Sequence, residues 1–442
     1  MREFHFYINL QQAFFLARQY AKRISSCTFL FTSVPKDCLN EDYIRSLFNS
    51  VKNVWIAGDT KQLDKIIQER DNVERKYEFQ TGHEAEQVST STSYPEYGKR
   101  PTHRTGPSGL IGENVDTIGW CRKKLKDLIP KAQSAQYDWL TGDYEKHTTF
   151  FVELSTQYDT QIAFQTATHQ RPLQLSSRFI GIKPNEVIWK NLRYPWWQVA
   201  IRRYVIYTAI TVLIVSWALP VIVVGIIAHV NTIKSRPGST WIQNIPQAIL
   251  CAVSGLLPSI ALSILMSSVP VFMRTCARWS GCVSASQAEL FTQNAYFIFH
   301  LQSPSIPTAS NFYISVFIIQ GLTIATGVLT QIFGFVMFTL SYRFTNMTPR
   351  IIYDKVTALG AIYFGSLMPI YTNMAVISII YSIIAPFLLL WSPISMGLLY
   401  LARRYNVLYV TATGVDTGGL IYPRALKLAC VIGQRIRNKP RI

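Results

Sequence analysis

The feature that most restricts the fold of this chain is residues 358–401, a stretch of 44 residues without a charged side chain. About 20 apolar residues cross a bilayer as an α-helix, so this stretch has room for a hairpin of two spans. Apolar runs at residues 204–230, 246–273 and 311–340 are also long enough to cross. We therefore predict a multi-pass α-helical membrane protein in contact with the lipid bilayer, with about five clear spans within residues 204–425.

Charge divides the chain into two parts. Residues 1–203 contain 22 of the 25 acidic residues, whereas residues 204–442 contain three acids and 15 Lys or Arg. A basic excess can attract nucleic acid. Here, however, the basic residues flank the apolar runs, as they do at the cytoplasmic ends of membrane spans. We favour the second interpretation and expect no nucleic acid as a partner.

The part before the spans has the pattern of a folded α/β unit. The residue pattern predicts strands at 27–35, 52–57, 148–154 and 178–182, with helices between them. The order is β-α-β, a long helical insertion and a second β-α-β, which suggests an RRM-like α/β sandwich. RNA binding would need a signature with exposed aromatic residues on the third strand. Thr149–Leu154 keeps only the apolar core of that signature, so we do not expect RNA binding.

These patterns divide the chain into successive regions. Residues 1–26 form an aromatic-rich, amphipathic lead-in, and residues 27–203 form the α/β unit, with a flexible insertion at 89–112 that is rich in Ser, Thr, Pro and Gly. The membrane region follows at 204–425, and residues 426–442 have the pattern of a truncated span with a basic tail. We expect residues 27–203 to be cytoplasmic and the protein to lie in the plasma membrane or another cellular membrane.

An aromatic and basic cluster precedes the first predicted span. Trp and Tyr favour the membrane–water interface, and Lys and Arg favour its cytoplasmic side. The predicted interface residues are Trp189, Trp196, Trp197, Arg202 and Arg203.

The basic residues also constrain the number of spans. Arg278 after the second span and Arg343 after the third both favour the cytoplasm, so an even number of spans should lie between them. Residues 311–340 are long enough to cross, whereas the apolar stretch 288–301 is too short. Either the third span is inverted against its charges, or a span is missing from this chain.

Two predicted spans carry a stripe of small and polar residues on one face. Such a stripe either lines a hydrated pathway or lets helices pack closely, and spacing alone does not decide between the two. No acid lies on either stripe, so no charged selectivity ring is predicted. The candidate pore-lining residues are Gln320, Thr323, Gly327, Thr330, Gln331, Gly334, Ser254, Ser259 and Ser263. The candidate hinge or kink residues are Pro258, Pro270, Gly321 and Pro386.

No catalytic constellation is found in the sequence. The seven histidines show no metal-ligand spacing, and there is no P-loop, GxSxG or GxGxxG motif. We therefore expect no enzyme, no metal site and no cofactor.

A series of short segments resembles the OSCA-type calcium-permeable stress-gated cation channels, and most closely their fungal RSN/PHM-like branch. The segments occur in the family's order from about residue 22 to residue 428. They are Phe29–Pro35, Val54–Asp59, Glu69–Asp71, Arg100–Arg104, Val115–Ile118, Pro184–Leu192, Gly255–Pro258, Ala288–Leu290, Ser310–Tyr313, Gln320–Gly321, Tyr381–Pro386, Arg404–Val410 and Tyr422–Ala425.

The resemblance implies a fold related to the anoctamin channels and scramblases. The complete family fold has eleven spans, an RRM-like cytosolic domain between the third and fourth spans, and often a homodimeric assembly. Its ion pathway lies within each subunit, among the fourth to eighth spans. By resemblance, residues 204–230, 246–273 and 311–340 are the fourth, fifth and seventh spans, and residues 358–401 supply the eighth and ninth. This correspondence favours the pore interpretation of the polar stripes.

The resemblance also implies a function. It is that of a mechanosensitive or osmosensitive channel subunit that passes cations (Ca²⁺, K⁺ and Na⁺) down their gradients. The alternatives are a lipid scramblase of related fold and a non-conducting membrane scaffold or trafficking protein. Relative to the family, three N-terminal spans, part of the sixth and the last two are missing, so the chain resembles a fragment, a splice product or a faulty gene model. Plant members have a glutamate after the second glycine of the seventh span, where this chain has Val328. The role of that glutamate in permeation is therefore not transferred to this chain.

Overall fold

The helices and strands are those of a computed structural model. The residues that it describes are 2–48, 50–90, 102–104, 113–142, 144–166, 177–217, 219, 265–300, 310–344, 348–384 and 386–437. The strands are β1 Thr28–Thr32, β2 Val51–Gly58, β3 Thr102–Arg104, β4 Asn114–Asp116, β5 Lys146–Leu154, β6 Ser177–Ile180, β7 Gly360–Ile362 and β8 Thr411–Thr413. The helices are α1 Arg2–Leu16, α2 Arg18–Ala21, α3 Ile24–Cys27, α4 Glu41–Leu47, α5 Lys61–Thr90, α6 Thr117–Leu140, α7 Gln157–Gln165, α8 Trp196–Ser216, α9 265–279, α10 Ala285–His300, α11 Ser310–Thr330, α12 Ile332–Phe344, α13 Pro349–Thr357, α14 Phe364–Ile384, α15 Leu388–Tyr409 and α16 Ile421–Arg437.

The α/β unit is built on a four-stranded antiparallel sheet. Its strand order is β2-β5-β1-β6, and the elements follow the predicted sequence of β-α-β, insertion and β-α-β. Side chains alternate between the two faces of a strand, so every second residue points to the same side. On one side Phe29, Phe31 and Phe150 form a core with Ile44 of α4 and Ala163 of α7. The other side packs around Leu30 against the chain that leads into the membrane helices.

The insertion between β2 and β5 is itself partly ordered. Helices α5 and α6 pack together through Val73, Cys121 and Leu128, and the Asp116 side chain caps α6 by accepting backbone N–H groups of its first turn. Within the stretch predicted to be flexible, 89–112, the structure describes residues 89–90 and 102–104. Residues 102–104 form β3 and pair with β4, which satisfies their backbone hydrogen-bonding groups. Residues 91–101 and 105–112 lie outside the described residues.

The second half is a helix bundle with two apolar contact regions. In the first, α8 contributes Ile206 and Ile210, α9 contributes Met273, and α10 contributes Tyr296 and Phe299. In the second, α11, α14 and α15 meet through their buried side chains, which are Phe317, Met374, Leu388 and Leu399. The outward faces remain apolar, with exposed residues that include Val212, Phe335 and Leu390. An outer surface of this kind suits contact with lipid chains.

The described residues contain fewer clear spans than the five predicted. One continuous helix, Trp196–Ser216, is long and apolar enough to cross, and the bent pair Gly321–Thr330 and Ile332–Phe344 passes the same test when taken together. Helix α15 carries Arg403 and Arg404 in its last turns, which lower its mean hydropathy. Helix α14, Phe364–Ile384, is 21 residues long and contains no charged residue. Most of the predicted span at 246–273 lies outside the described residues.

Several predicted boundaries differ from the observed ones. Helix α8 begins at Trp196, eight residues before the predicted start of the first span at Tyr204. Pro195 precedes the helix, and Arg202 and Arg203 are exposed in its early turns. The predicted span at 311–340 is two helices that meet at Gln331. The predicted boundary between 425 and 426 falls inside the continuous helix α16.

Candidate functional site

The break between α11 and α12 is the most unusual backbone feature of the described helix bundle. The two helices are bent by 48° at Gln331, whose φ of 50° lies in the left-handed region that residues other than glycine rarely adopt. The Gln331 side chain donates a hydrogen bond from Nε2 to Oδ1 of Asn406 in α15, at 3.0 Å. Asn406 is buried, so the hydrogen bond joins the break to the interior of the bundle.

The predicted polar stripe of this span is largely exposed. Thr323, Gly327, Thr330, Gln331 and Gly334 all have exposed positions. A methyl group added to Gly327 or Gly334 would meet no atom within 4 Å in the described part of the protein. Within that part, therefore, this stripe is not used for close helix packing. The side chain of Gln320, the remaining member, lies outside the described residues.

Gly321 has a different role from the predicted hinge. It lies in the continuous part of α11, where a methyl group would come within 2.8 Å of Ser395 in α15. The Ser395 hydroxyl donates to the carbonyl oxygen of Phe317, at 2.9 Å. Gly321 thus allows α11 and α15 to touch, and the bend falls ten residues later at Gln331.

The other predicted pore and kink residues are only partly described. Ser254, Pro258, Ser259 and Ser263 lie outside the described residues. Pro270 lies inside α9 and is half-buried, and Pro386 lies in the turn between α14 and α15. The turn at Pro386 agrees with the predicted hairpin within residues 358–401.

A buried ion pair joins three helices at the end of the bundle nearest the α/β unit. Arg274 of α9 donates from Nε to Oε1 of Glu289 in α10, at 2.7 Å. The other carboxylate oxygen accepts the backbone N–H of Gly365 in the first turn of α14, at 3.0 Å, where the helix dipole favours a negative charge. Arg274 also donates to the Ser366 hydroxyl, at 3.1 Å, and lies 4.1 Å from the ring centre of Tyr363.

Sequence reasoning did not identify this cluster, although a signal was present. Glu289 is one of three acids after residue 203, and it is the only acid in the sequence of α10. A buried carboxylate needs a partner, so the pairing of Glu289 with a nearby arginine could have been expected.

Helix α10 places further polar groups inside the bundle. Gln293 is buried and donates from Nε2 to the carbonyl oxygen of Ile421 at the start of α16, at 2.9 Å. In the described residues, Oδ1 of Asn294 and Nε2 of His300 are buried without a hydrogen-bond partner. Buried polar atoms in a membrane protein commonly mark the position of water or a permeating species. From sequence, this stretch is interpreted as a segment too short to cross and, by resemblance, as part of the sixth span; its buried polar atoms were not predicted.

The predicted interface residues cluster where the α/β unit meets the bundle. Trp189, Trp196 and Trp197 are exposed, as are Arg202 and Arg203 in the second turn of α8. Exposed indole rings next to arginine side chains suit a membrane–water interface.

Backbone and side-chain contacts tie the α/β unit to the bundle. Val187 forms a β-bridge with Ser284, and Asn191 donates from Nδ2 to the carbonyl oxygens of Arg278 and Cys282. These contacts join the end of the unit to the turn between α9 and α10. Movement of the α/β unit should therefore be transmitted to the bundle, and movement of the bundle to the unit.

A second junction involves three charged groups. Lys183 lies 3.0 Å from Asp416, in the segment between α15 and α16, and Glu186 accepts the Asp416 backbone N–H, also at 3.0 Å. Burial raises the pKa of Glu186. Burial opposes the charge on Asp416 as well, but hydrogen bonds from Gly418 and Lys183 outweigh it and lower the Asp416 pKa.

Two family models match the chain. One, described as "Calcium-dependent channel, 7TM region, putative phosphate", matches residues 202–304 and 300–433. The other, "Cytosolic domain of 10TM putative phosphate transporter", matches residues 26–191. Together they define a multi-pass membrane protein of a channel and transporter family, with a cytosolic domain.

Individual relatives point to the same family. The chain is 34% identical to "Uncharacterized protein RSN1" of Saccharomyces cerevisiae, over 96% of this chain and 50% of that protein. It is 30% identical to "Phosphate metabolism protein 7" of the same yeast, over 96% of this chain and 48% of that protein. It is 22% identical to "Hyperosmolality-gated Ca2+ permeable channel 1.5" of Arabidopsis thaliana, over 76% of this chain and 49% of that protein.

The chain belongs to the family that includes the fungal RSN and PHM proteins and the plant OSCA channels. It spans about half the length of the curated relatives that it matches. This family is one of channels and transporters rather than enzymes.

Proposed function

We propose that this protein is a subunit of a mechanosensitive, calcium-permeable cation channel. The observation that carries the proposal is the break at Gln331 within an apolar helix pair. Non-helical backbone is tolerated at membrane depth only where protein buries it or where it borders a water-filled cavity. Gln331 is exposed, and so are Thr330 and Gly334 on either side, which favours the water-filled alternative.

The proposed gating force comes from the bilayer. Tension favours whichever conformation has the larger cross-section in the membrane, and it shifts the population only if the two conformations differ in that area. A helix already bent by 48° can straighten or bend further at Gln331. The pathway beside the exposed stripe would then widen or close. We propose that the permeating ions (Ca²⁺, K⁺ and Na⁺) pass along it.

The remaining features of the proposal follow the family. We propose that residues 27–203 are cytoplasmic and RRM-like, a proposal supported by the antiparallel strand order β2-β5-β1-β6 with α4 and α7 on one face. Homodimeric assembly and location in the plasma membrane or another cellular membrane also remain proposals.

We propose further that relatives carry a segment near residue 300 that this chain lacks. The channel-region match comes in two parts that meet at residues 300–304. The alignment with RSN1 runs over 478 positions, more than the 442 residues of the chain, so the relative contributes residues without a counterpart here. This agrees with the count of basic residues, which left one span unaccounted for between Arg278 and Arg343.

Patch-clamp recording under membrane stretch tests the channel proposal. Thr330→Val and Thr339→Val are a matched pair, because both hydroxyls are exposed and donate to the carbonyl four residues earlier, at 2.8 and 2.9 Å. Thr330 lies on the proposed pathway and Thr339 does not. We expect Thr330→Val to lower the unitary current and Thr339→Val to leave it unchanged.

Two other outcomes would reject the channel proposal. Absence of stretch-activated current, with the protein confirmed at the cell surface, would do so. Flip of labelled lipid in liposomes without current would then identify a scramblase, an alternative favoured by the exposed polar stripe on the surface of α11. If neither stretch-activated current nor lipid flip is observed, the non-conducting scaffold is the remaining alternative.

A further inference from the structure

A basic pocket lies where the α/β unit joins the first helix of the bundle. Its volume is about 530 Å³, and it opens between the segment before α8, the first turns of α8 and the end of α9. The side chains that line it include Lys190, Arg193, Tyr194, Arg202, Val205 and Trp279, and further apolar contacts come from Ile201 and Ile206. None of the predicted pore-lining residues contributes to it.

The charge in this pocket is positive and unbalanced. Lys190, Arg193 and Arg202 line it, and no acid does. Over the described stretches of the chain, none of these three side chains forms an ion pair with a carboxylate. Two acids, Asp59 and Asp64, line the adjoining cavity. The Asp59 carboxylate is engaged by Lys61, at 3.0 Å, and the Asp64 carboxylate accepts a hydrogen bond from the Thr60 hydroxyl, also at 3.0 Å.

Both guanidinium groups contact the ring of Tyr194. The Arg202 guanidinium lies 4.0 Å from the centre of the Tyr194 ring, and that of Arg193 lies 5.0 Å from it. Arg193 also donates to the Tyr194 hydroxyl, at 3.1 Å. Contact with the ring face favours each cation, but the cations repel each other. A bound anion would relieve that repulsion, and guanidinium groups suit phosphate because they can donate two parallel hydrogen bonds.

The cationic and apolar side chains of the pocket follow one another along α8, as the headgroup and the acyl chains do in a lipid. Arg202, Val205 and Ile206 share one face of α8, since residues three and four apart lie together on a helix. The two aliphatic side chains lie about 5 Å deeper along the helix than Arg202, at a rise of about 1.5 Å per residue. The exposed indole of Trp279 faces the same pocket from α9. Cations above an apolar wall match a phosphorylated headgroup above its acyl chains.

We propose that this pocket binds the phosphorylated headgroup of an anionic phospholipid of the cytoplasmic leaflet. Arg193, Arg202 and Lys190 contact the phosphate, and Val205 with Trp279 contacts the upper acyl chain. Basic pockets between membrane helices on the cytoplasmic side are suited to such headgroups. The site lies on the segment that joins the α/β unit to α8, and it does not depend on the protein being a channel.

Native mass spectrometry of the purified full chain tests this proposal. The probe is short-chain phosphatidylinositol 4-phosphate, with phosphatidylcholine as the neutral comparison and inositol phosphate as the soluble headgroup. We expect Arg202→Gln to weaken binding of the anionic lipid about fivefold and Arg193→Gln with Arg202→Gln to weaken it further, since each cation contributes about 1 kcal/mol. Arg202→Lys should retain part of the binding, because it keeps the charge but loses the two parallel hydrogen bonds of the guanidinium group.

Arg404→Gln is the matched control. Arg404 is another exposed arginine near the end of a bundle helix and lies outside the pocket, so its loss should leave lipid binding unchanged. The proposal is overturned if Arg404→Gln and Arg202→Gln weaken binding equally, because the attraction would then be unspecific. It is also overturned if inositol phosphate binds as tightly as the lipid, because the ligand would then be a soluble phosphate. Equal elution volumes of the variants in size-exclusion chromatography would exclude misfolding as the cause.

Discussion

The ion pair between Arg274 and Glu289 gives a quantitative test of how the bundle is held together. The two side chains are 17% and 3% exposed, and the carboxylate also accepts the backbone N–H of Gly365. Glu289→Gln keeps the size of the side chain and can keep the hydrogen bond to Gly365. It removes the negative charge, and the guanidinium of Arg274 stays in a poorly solvated place without its partner.

Removing one partner of a buried ion pair costs about 3–5 kcal/mol. Because Arg274 keeps its contacts with Ser366 and Tyr363, we expect the lower end, about 3 kcal/mol, for Glu289→Gln. The control is Glu41→Gln in α4, which breaks an exposed pair with Arg45, in which the side chains are 55% and 42% exposed. That loss should be about 0.3–0.5 kcal/mol.

The assay is equilibrium unfolding of the purified chain in detergent micelles, followed by tryptophan fluorescence. Arg274→Gln and the double variant complete a cycle, and the double variant should lose less than the sum of the single losses because the two groups interact directly. Added salt should reduce the effect of Glu41→Gln but not that of Glu289→Gln, since buried pairs are screened much less. Equal costs for Glu289→Gln and Glu41→Gln, or strictly additive losses in the cycle, would refute the reasoning.

Three further outcomes are expected. Gly365→Ala should strongly lower the stability of the protein in thermal unfolding, because its methyl group would overlap the Glu289 carbonyl. At Gly397 the added methyl group meets open space, so Gly397→Ala should be neutral or stabilising by up to about 1 kcal/mol in the same measurement. Phe31→Ala should destabilise the α/β unit by about 3–5 kcal/mol, against about 0.5 kcal/mol or less for the exposed Tyr158→Ala, as measured by hydrogen exchange in β1. Burial lowers the pKa of His147, so the folded unit favours the neutral ring. The contribution of His147 to the stability of the unit should be complete above about pH 6.5 and should be lost as the pH falls through the lowered pKa. His147→Gln should reduce this loss, as measured by hydrogen exchange in β5.

The strands of the α/β unit were predictable because their signal is local. In β1 and β5, buried phenylalanines alternate with residues of the opposite face, and a strand that is half in the core cannot shift by one residue without turning its apolar set outward. No strand was predicted at β3, because Thr102–Arg104 has a polar composition; its backbone pairs with β4. The sequence showed the composition of that segment but not its partner.

The candidate site was predictable only as a stripe of residue types. The spacing of Thr323, Gly327 and Thr330 predicts that they share one side of a helix, but it cannot say whether another helix covers that side. The predicted hinge residues were Pro258, Pro270, Gly321 and Pro386, whereas the break between α11 and α12 occurs at Gln331. A glutamine in a left-handed conformation is held by contacts from elsewhere, here the hydrogen bond from its side chain to Asn406, so local sequence gives no warning of it.

The sequence alone determined that this is a multi-pass membrane protein with an α/β unit, because apolar run length and charge asymmetry follow directly from the free energy of transfer into lipid. The family followed from the ordered series of short segments, which the comparisons confirmed. Tertiary structure decided the rest. Only the packed helices bring Arg274 to Glu289 and gather Lys190, Arg193 and Arg202 around Tyr194. Electrostatic contacts depend on distance in space, and residues far apart in the chain acquire that proximity only by folding.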